Sequence, residues 1–410
     1  MYKIRNHWAS NTDANKEKKW LYLIAFPVGH GAVDWGGGAL WLLGPAMALS
    51  MGLSHFQVGL LFAARQVAAG ISQLPAGMIG DKLKRRGNFL LVTFWWVSVA
   101  QLVASNSLNY WIVVVFLSLA SSGAAAWHPV AMGSMVQYMP NRKGFILAIH
   151  MLGGSIAEIT APLLAGILLI FLDWDRVLQI STVPTIILGL IFLRLAPMVK
   201  ASPYQTGIGL NIKDLMKSVI KPGSLTILMM IMLHNMSLVA FMSMTPLYFQ
   251  EVRGLSSGLT GLGFSLFLLG GAVTAPFVGH ISDKIGRKTI SIWGLIGGGI
   301  CAWLITLTTS NLTIFPLLII TGVLMLSVHS VIMAMALEKI GHRESTVLGL
   351  ISSIGEGFAA LGAIFAGILG NLALAYSLIL AGILSIVAGL VLWPLNQNPI
   401  KDDNQTIHVQ

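Results

Sequence analysis

The sequence predicts an all-α membrane protein: twelve transmembrane helices in two six-helix, pseudo-symmetric bundles, with both termini cytoplasmic. Three observations carry that expectation. The 410 residues are 55% hydrophobic and only 10% charged, with a mean hydropathy of +0.79. A water-soluble chain of this length cannot hide so much apolar surface, so the bilayer is its solvent. Apolar runs of membrane length succeed one another between short polar breaks, and the second half of the chain repeats the first at a fixed offset.

Residues 1–19 are polar and basic and are expected to form a cytoplasmic tail. Apolar runs follow at roughly 20–50, 56–79, 89–105, 109–139, 145–171 and 177–195, predicting an N-terminal six-helix bundle over 20–195. The more polar stretch 196–221 reads as a cytoplasmic linker. Six further runs, near 223–249, 257–281, 290–309, 312–340, 345–370 and 373–394, predict a C-terminal bundle over 222–395, with 396–410 a second cytoplasmic tail. At 1.5 Å per residue, runs of about 17–31 residues cross a bilayer as helices. Barrel strands are about half as long and alternate in polarity.

Of the 25 lysines and arginines, all but Arg65, Arg176 and Arg253 fall in the tails and in alternate breaks between runs. The positive-inside preference therefore places both termini in the cytoplasm. These blocks also account for the net charge of +10, so nucleic acid is not expected as a partner. The single Cys301 excludes an intramolecular disulfide. The first apolar run is about 30 residues long and leads into others, so no cleavable signal is expected.

The repeat is specific. Ala165-Gly-Ile-Leu recurs as Ala366-Gly-Ile-Leu, an offset of 201 that also carries His128 onto His329, Gly154 onto Gly355 and Pro45 onto Pro246. Two charged stretches match as well: Gly77-Met-Ile-Gly80-Asp81-Lys82-Leu-Lys84-Arg85-Arg86 and Gly279-His-Ile-Ser-Asp283-Lys284-Ile-Gly286-Arg287-Lys288. Each reads as a charged turn between two long helices. The glycine would permit close helix approach, and the aspartate can accept from a helix N-terminus or an arginine.

A charge at mid-bilayer costs at least about 2.5 kcal/mol, so ionisable residues inside the runs should face the bundle interior. They are His30 and Asp34 in run one, Arg65 in run two, His128 in run four, and His150 and Glu158 in run five. The second half adds His234 in run seven, His329 in run ten and Glu356 in run eleven, whose offset partner is Ser155. Runs three, six, nine and twelve carry none centrally and can face lipid. His30 and Asp34, four apart, share a helix face and can share a proton or a metal ion. Arg65 suits Asp34 or an anionic substrate. His150 and Glu158 lie about 80° apart around one helix. The same residues also suit a static interhelical network, with His128 and His329 bonding backbone at a kink. Trp41 and Trp127 suit either packing or substrate contact, and Gly153-Gly154 suits close packing.

The paired charged stretches resemble the loops between helices 2 and 3 and between helices 8 and 9 of major facilitator superfamily transporters. That resemblance implies two bundles around a central pathway lined by helices 1, 4, 7 and 10, each of which carries a histidine here. Within the superfamily the chain looks most like the fosmidomycin-resistance exporters. The matching residues are Gly29-His30-Gly-Ala-Val-Asp34, Leu53-Ser-His-Phe-Gln57-Val-Gly59, Ser72-Gln73-Leu-Pro75, Ser122-Gly123-Ala-Ala-Ala-Trp-His128-Pro129 and Gly153-Gly154 with Ala161-Pro162. It departs from that group at Val33 and Val130, where asparagine and glutamate are usual, and its run-five stretch resembles an exporter motif that has glycines in place of Ala157 and Ala161 and lacks Glu158.

The resemblance implies a non-enzymatic secondary transporter of the bacterial-type inner membrane. It would export a small solute against protons by alternating access, as a lipid-embedded monomer with no cofactor. The expected substrate or proton pathway is His30, Asp34, Arg65, His128, His150, Glu158, His234, His329 and Glu356. The expected gating residues are Gly77, Asp81, Arg85, Arg86, Gly279, Asp283, Arg287 and Lys288, with cytoplasmic closure held through Asp81 and Asp283. Transport of a metal ion or metal chelate through His30 and Asp34, and a non-transporting receptor, are the alternatives.

Overall fold

The computed structural model describes residues 20–139, 142–199, 220–340 and 344–395; both predicted tails, most of the predicted linker and Arg343 lie outside these residues. The described residues form twelve helical rods, two of them broken. In the first half these are α1 (Phe26–Met51), α2 (His55–Lys82), α3 (Arg86–Ser105), α4 (Tyr110–Tyr138), α5 (Lys143–Leu168) and α6 (Trp174–Ser181 with Val183–Leu195). In the second half they are α7 (Pro222–Leu247), α8 (Ser257–Ile285), α9 (Arg287–Leu307), α10 (Asn311–Met325 with Val328–Ile340), α11 (Glu344–Leu372) and α12 (Leu374–Val391).

Several starts are set by side-chain caps. Ser54 and Gln57 form a reciprocal capping box at α2, and Asn109, Ser256 and Ser310 accept from the first amides of α4, α8 and α10. Pro184 marks the break in α6, since proline has no amide to continue the ladder. Ten rods are long and apolar enough to cross a membrane. The two that fall short, α1 and α2, hold His30, Asp34, Arg65, Gln66 and Gln73 together with many glycines. Their low apolarity is thus the mark of the residues they deliver to the interior. Large apolar side chains such as Leu312, Phe171, Trp111 and Trp293 stay exposed on the outside, as a lipid-facing surface requires.

Helices α1–α6 pack on one another, chiefly α1 on α5, α2 on α4 and α3 on α4, and α7–α12 pack likewise through α7 on α11, α7 on α12 and α9 on α12. Across the two sets α2 packs on α11, α5 on α8 and α1 on α7. The core shows where the sets join. At the end carrying the 52–54 and 253–256 loops, one apolar cluster runs continuously through both, from Leu40, Leu43 and Phe62 to Phe241, Phe267 and Ala363. At the other end there are two clusters, one around Phe26, Phe94 and Met135 and one around Ile231, Ile332 and Leu392. One end is therefore sealed and the other is parted.

Small residues allow the seal. A methyl added at Gly59 would strike the Ala363 carbonyl, and one at Gly166 the Ser257 carbonyl, so both inter-bundle crossings bring backbone against backbone. Polar contacts close the rim: His55 Nδ1 donates to the Gly370 carbonyl at 2.9 Å, His55 Nε2 lies 2.9 Å from Glu251, and the Phe56 amide donates to Asn371.

Candidate functional site

Between the two sets lies a cavity of about 560 Å³. The four helices expected to line it all do: α1 gives Asp34 and Trp41, α4 His128, α7 Asn235 and Met242, and α10 His329. Helices α2, α5, α8 and α11 complete it with Arg65, Glu158, Ala272 and Glu356. The histidines divide differently from the expectation of one per lining helix. His30, His150 and His234 are buried behind the wall, 4%, 0% and 0% exposed, so only His128 and His329 reach the lumen. Trp127 is likewise wholly buried and takes a packing role, whereas Trp41 lines the cavity.

The first polar group is built on α1, α4 and α5. Asp34 Oδ2 stands 3.0 Å from His30 Nε2, and its Oδ1 stands 3.3 Å from His128 Nε2. His30 is held from behind, its Nδ1 donating to the His150 carbonyl at 2.8 Å. A carbonyl only accepts, so Nδ1 carries the hydrogen. The contact between Nε2 and the carboxylate then needs one more proton, whichever atom owns it. The His150 ring stacks on His30 at 4.2 Å and lies parallel to Trp127 at 5.5 Å, with neither of its nitrogens hydrogen-bonded. Glycine makes the room. A methyl at Gly154 would overlap the His30 imidazole, and one at Gly153 the Pro27 carbonyl, so the expected close packing brings α5 against α1 here.

Arg65 does not pair with Asp34. It is 6% exposed, its guanidinium lies 5.8 Å from the Trp41 ring and 5.5 Å from the Phe62 ring, and its Nε and Nη1 have no hydrogen-bond partner. Among the described residues no carboxylate comes within ion-pair distance of it. The reason is geometric: Asp34 is already engaged by two histidines. Glu356, across on α11, accepts from Gln66 Nε2 at 2.7 Å, and a methyl at Gly70 would touch its Cβ. Glu158 lines the cavity, while His150 turns away into the packing between α1 and α4.

His234 and His329 form a second group, ring centres 6.0 Å apart, with both nitrogens of His234 and Nδ1 of His329 unbonded. Neither His128 nor His329 sits at a kink in the expected way: α4 runs unbroken through Pro129, and α10 breaks at Leu326–Ser327, just before His329. Gln66, Gln73, Gln101 and Asn235 also line the cavity. Counting ionisable residues alone passes over them, though the offset of 201 from Asp34 leads directly to Asn235.

At the parted end the charged stretches are partly helical, with Asp81 in the last turn of α2 and Asp283 in that of α8. Asp81 pairs with Arg86 at 3.3 Å, and Arg86 Nε donates to the Gly80 carbonyl. Asp283 meets Arg287 at 3.0 Å, and Arg287 also reaches Glu338 at 2.9 Å. Lys288 donates to the Trp393 carbonyl, and Arg85 is exposed. Every one of these pairs stays within its own half. The glycines differ from expectation too: an added methyl at Gly279 meets nothing, and one at Gly77 makes only ordinary contact with Pro129, whereas Gly80 is the close approach, against Val130. With this end parted, no helix of the opposite half lies against Gly77 or Gly279.

Two six-helix sets, sealed at one end, parted at the other and enclosing a polar-lined cavity midway, define a membrane carrier architecture. The family model for the Major Facilitator Superfamily matches residues 28–266 and 227–408, and the chain belongs to that superfamily. It is 24% identical over 333 residues, 80% of each chain, to the Fosmidomycin resistance protein of Escherichia coli (strain K12). It is 23% identical over 336 residues to the uncharacterized MFS-type transporter YfnC of Bacillus subtilis (strain 168), covering 79% of this chain and 80% of that one. Its fold matches a bacterial homolog of the human lysosomal transporter Spinster, in inward-facing and unoccupied conformation, with TM-score 0.74 and 13% identity over 95% of this chain and 99% of the other. The nucleoside transporter NupG gives TM-score 0.75 and 13% identity over 90% and 98%. The protein is an integral, multi-pass membrane transporter, near the fosmidomycin-resistance group in sequence.

Proposed function

We propose that this chain is a proton-coupled secondary transporter that exports a small solute across a bacterial-type inner membrane by alternating access. The observation that carries the reading is the proton-requiring contact of Asp34 with His30, completed by His128, at the wall of the cavity between the halves. In this reading all twelve rods cross the bilayer, including α1 and α2. Residues 20–195 and 222–395 are the two bundles, and 1–19, 196–221 and 396–410 lie in the cytoplasm with the parted end. A carboxylate that gains and loses a proton as access alternates is the minimal coupling device.

Arg65 and Trp41 supply an anion-tolerant wall, since a buried cation without a carboxylate partner favours a negatively charged group on the solute. Glu158 and Glu356 extend the proton pathway across the cavity, and His150, His234 and His329 shape it. Asp81 and Asp283, with Arg86 and Arg287, re-pair when the parted end closes. The similarity to a fosmidomycin-resistance protein supports export as the direction. A metal ion or metal chelate is the second reading of the cargo, favoured by the convergence of His30, His128 and His150.

The test is solute flux in proteoliposomes under an imposed pH gradient, with wild type against Asp34→Asn. The panel holds amphipathic drugs, small carboxylates and divalent metals with and without chelators. Uphill flux of one class that follows the gradient and collapses in Asp34→Asn is expected. Flux indifferent to the gradient would make the protein a facilitator and Asp34 a structural residue.

A further inference from the structure

We infer that His30, Asp34, His128 and His150 form a binding site for a zinc-class divalent ion, taken up in place of the proton between His30 and Asp34. The inference concerns binding and does not rest on the proton-coupled export reading.

The geometry comes first. One ring nitrogen from each of the three histidines lies within 4.8 Å of the others, and Asp34 oxygens stand 3.0 and 3.3 Å from two of them. Four ligands at about 2.0–2.1 Å around a tetrahedral ion stand about 3.3 Å from one another. The Asp34 contacts already have that spacing, and the three histidine nitrogens, within 4.8 Å of one another, would draw in toward it around a bound ion. Imidazole nitrogen with one carboxylate is a donor set suited to zinc and its neighbours, and unsuited to calcium or magnesium, which prefer all-oxygen shells.

Two further observations point to a ligand. His150 is wholly buried with both ring nitrogens unbonded, an arrangement that leaves polar atoms desolvated without a partner. A metal bond satisfies one of them. His30 donates its other ring hydrogen to a backbone carbonyl, the orienting contact that metal-bound histidines ordinarily make. Asp34 and His128 line the cavity, which supplies the entry path. The counterpart group in the second half has His234 and His329 but Asn235 in place of a carboxylate, and it offers an internal control.

The ion and the shared proton occupy the same place, so binding releases that proton and weakens as pH falls. A retained ion fixes α1, α4 and α5 together through His30 and Asp34, His128 and His150, and so inhibits any solute flux coupled to the same group.

The experiment uses the full-length protein in detergent with its affinity tag removed. Cobalt(II) is added and its visible absorption recorded, then zinc(II) is titrated by calorimetry. One ion per chain, an intense four-coordinate cobalt spectrum and its displacement by zinc are expected. His150→Ala and His128→Ala should each weaken binding at least 10-fold, and His234→Ala should not change it. A spectrum of hydrated, six-coordinate cobalt, or an affinity equal to wild type in both His128→Ala and His150→Ala, overturns the site. If His150→Ala lowers the unfolding temperature sharply, His128→Ala decides, because that ring is 23% exposed to the cavity and its loss leaves little unfilled core. Binding is read without flux, so failure here leaves the transport reading standing, and the reverse also holds.

Discussion

At an offset of 201 residues, Asp34 of the first half corresponds to Asn235 of the second, His128 to His329 and Gly154 to Gly355. In the first half the carboxylate draws two histidines to within 3.3 Å. In the second, the Asn235 amide donates to the Ile231 carbonyl of its own helix at 2.9 Å, and the histidines face each other unbonded. The backbone frame has been kept and the charge has not. Replacing one carboxylate oxygen by an amide nitrogen changes almost no volume, yet it removes the group that can hold a proton or a cation against two imidazoles. A duplicated fold can thus carry an ion site in one copy and a neutral, solute-facing surface in the other.

The substitutions that test this asymmetry rank by expected effect. Asp34→Asn, which gives the first half the chemistry of the second, should reduce pH-driven flux at least 100-fold with the protein still folded. Asn235→Asp in that background should restore nothing, and recovered flux would show the halves to be interchangeable. Arg65→Ala should lower flux of anionic solutes about 10-fold and leave cationic ones less affected; equal loss for both would remove the anion-reading role. Next comes a matched pair. Gly154→Ala pushes a methyl into the His30 ring and should cost about 1–3 kcal/mol, seen as a fall in unfolding temperature. Gly355→Ala places the methyl 3.1 Å from the Asn235 amide nitrogen, which can yield, and should cost less; equal costs would mean that the two frames are equally tight. Smallest is His55→Ala at the sealed rim. A half-exposed pair contributes about 0.2–1 kcal/mol. Labelling of a cysteine at position 73 (Gln73→Cys in a Cys301→Ser background) should therefore change by no more than a few-fold.

The helices were legible in the sequence because the bilayer makes polarity expensive, and the resemblance to the superfamily supplied which of them line the cavity. Where charge appears inside an apolar run, it must point inward, so His30, Asp34, Arg65, Glu158 and Glu356 stood out. Pairing was not legible in the same way. Periodicity gives the face of a helix and not the neighbour it meets, so Arg65 read as suited to Asp34 or to an anionic substrate, and the structure sets it on Trp41 and Phe62 instead of Asp34. Uncharged polar residues such as Gln66, Gln101 and Asn235 carry little hydropathy penalty and leave little trace. His55, the first residue of α2, and Glu251, in the helical turn that follows α7, meet only because the sealed end brings the halves together.

The single apolar cluster at that sealed end has a thermal consequence. Opening there would bring water to surfaces such as Phe62, Phe241 and Phe267. Hydration of apolar surface raises the heat capacity, and burial of such surface loses strength on cooling. The preference for the sealed arrangement therefore weakens in the cold and strengthens on moderate warming, with a curvature set by the apolar area in the seam. In the proposed alternating-access cycle, the balance between the sealed arrangement and its opening at this seam is thus a function of temperature.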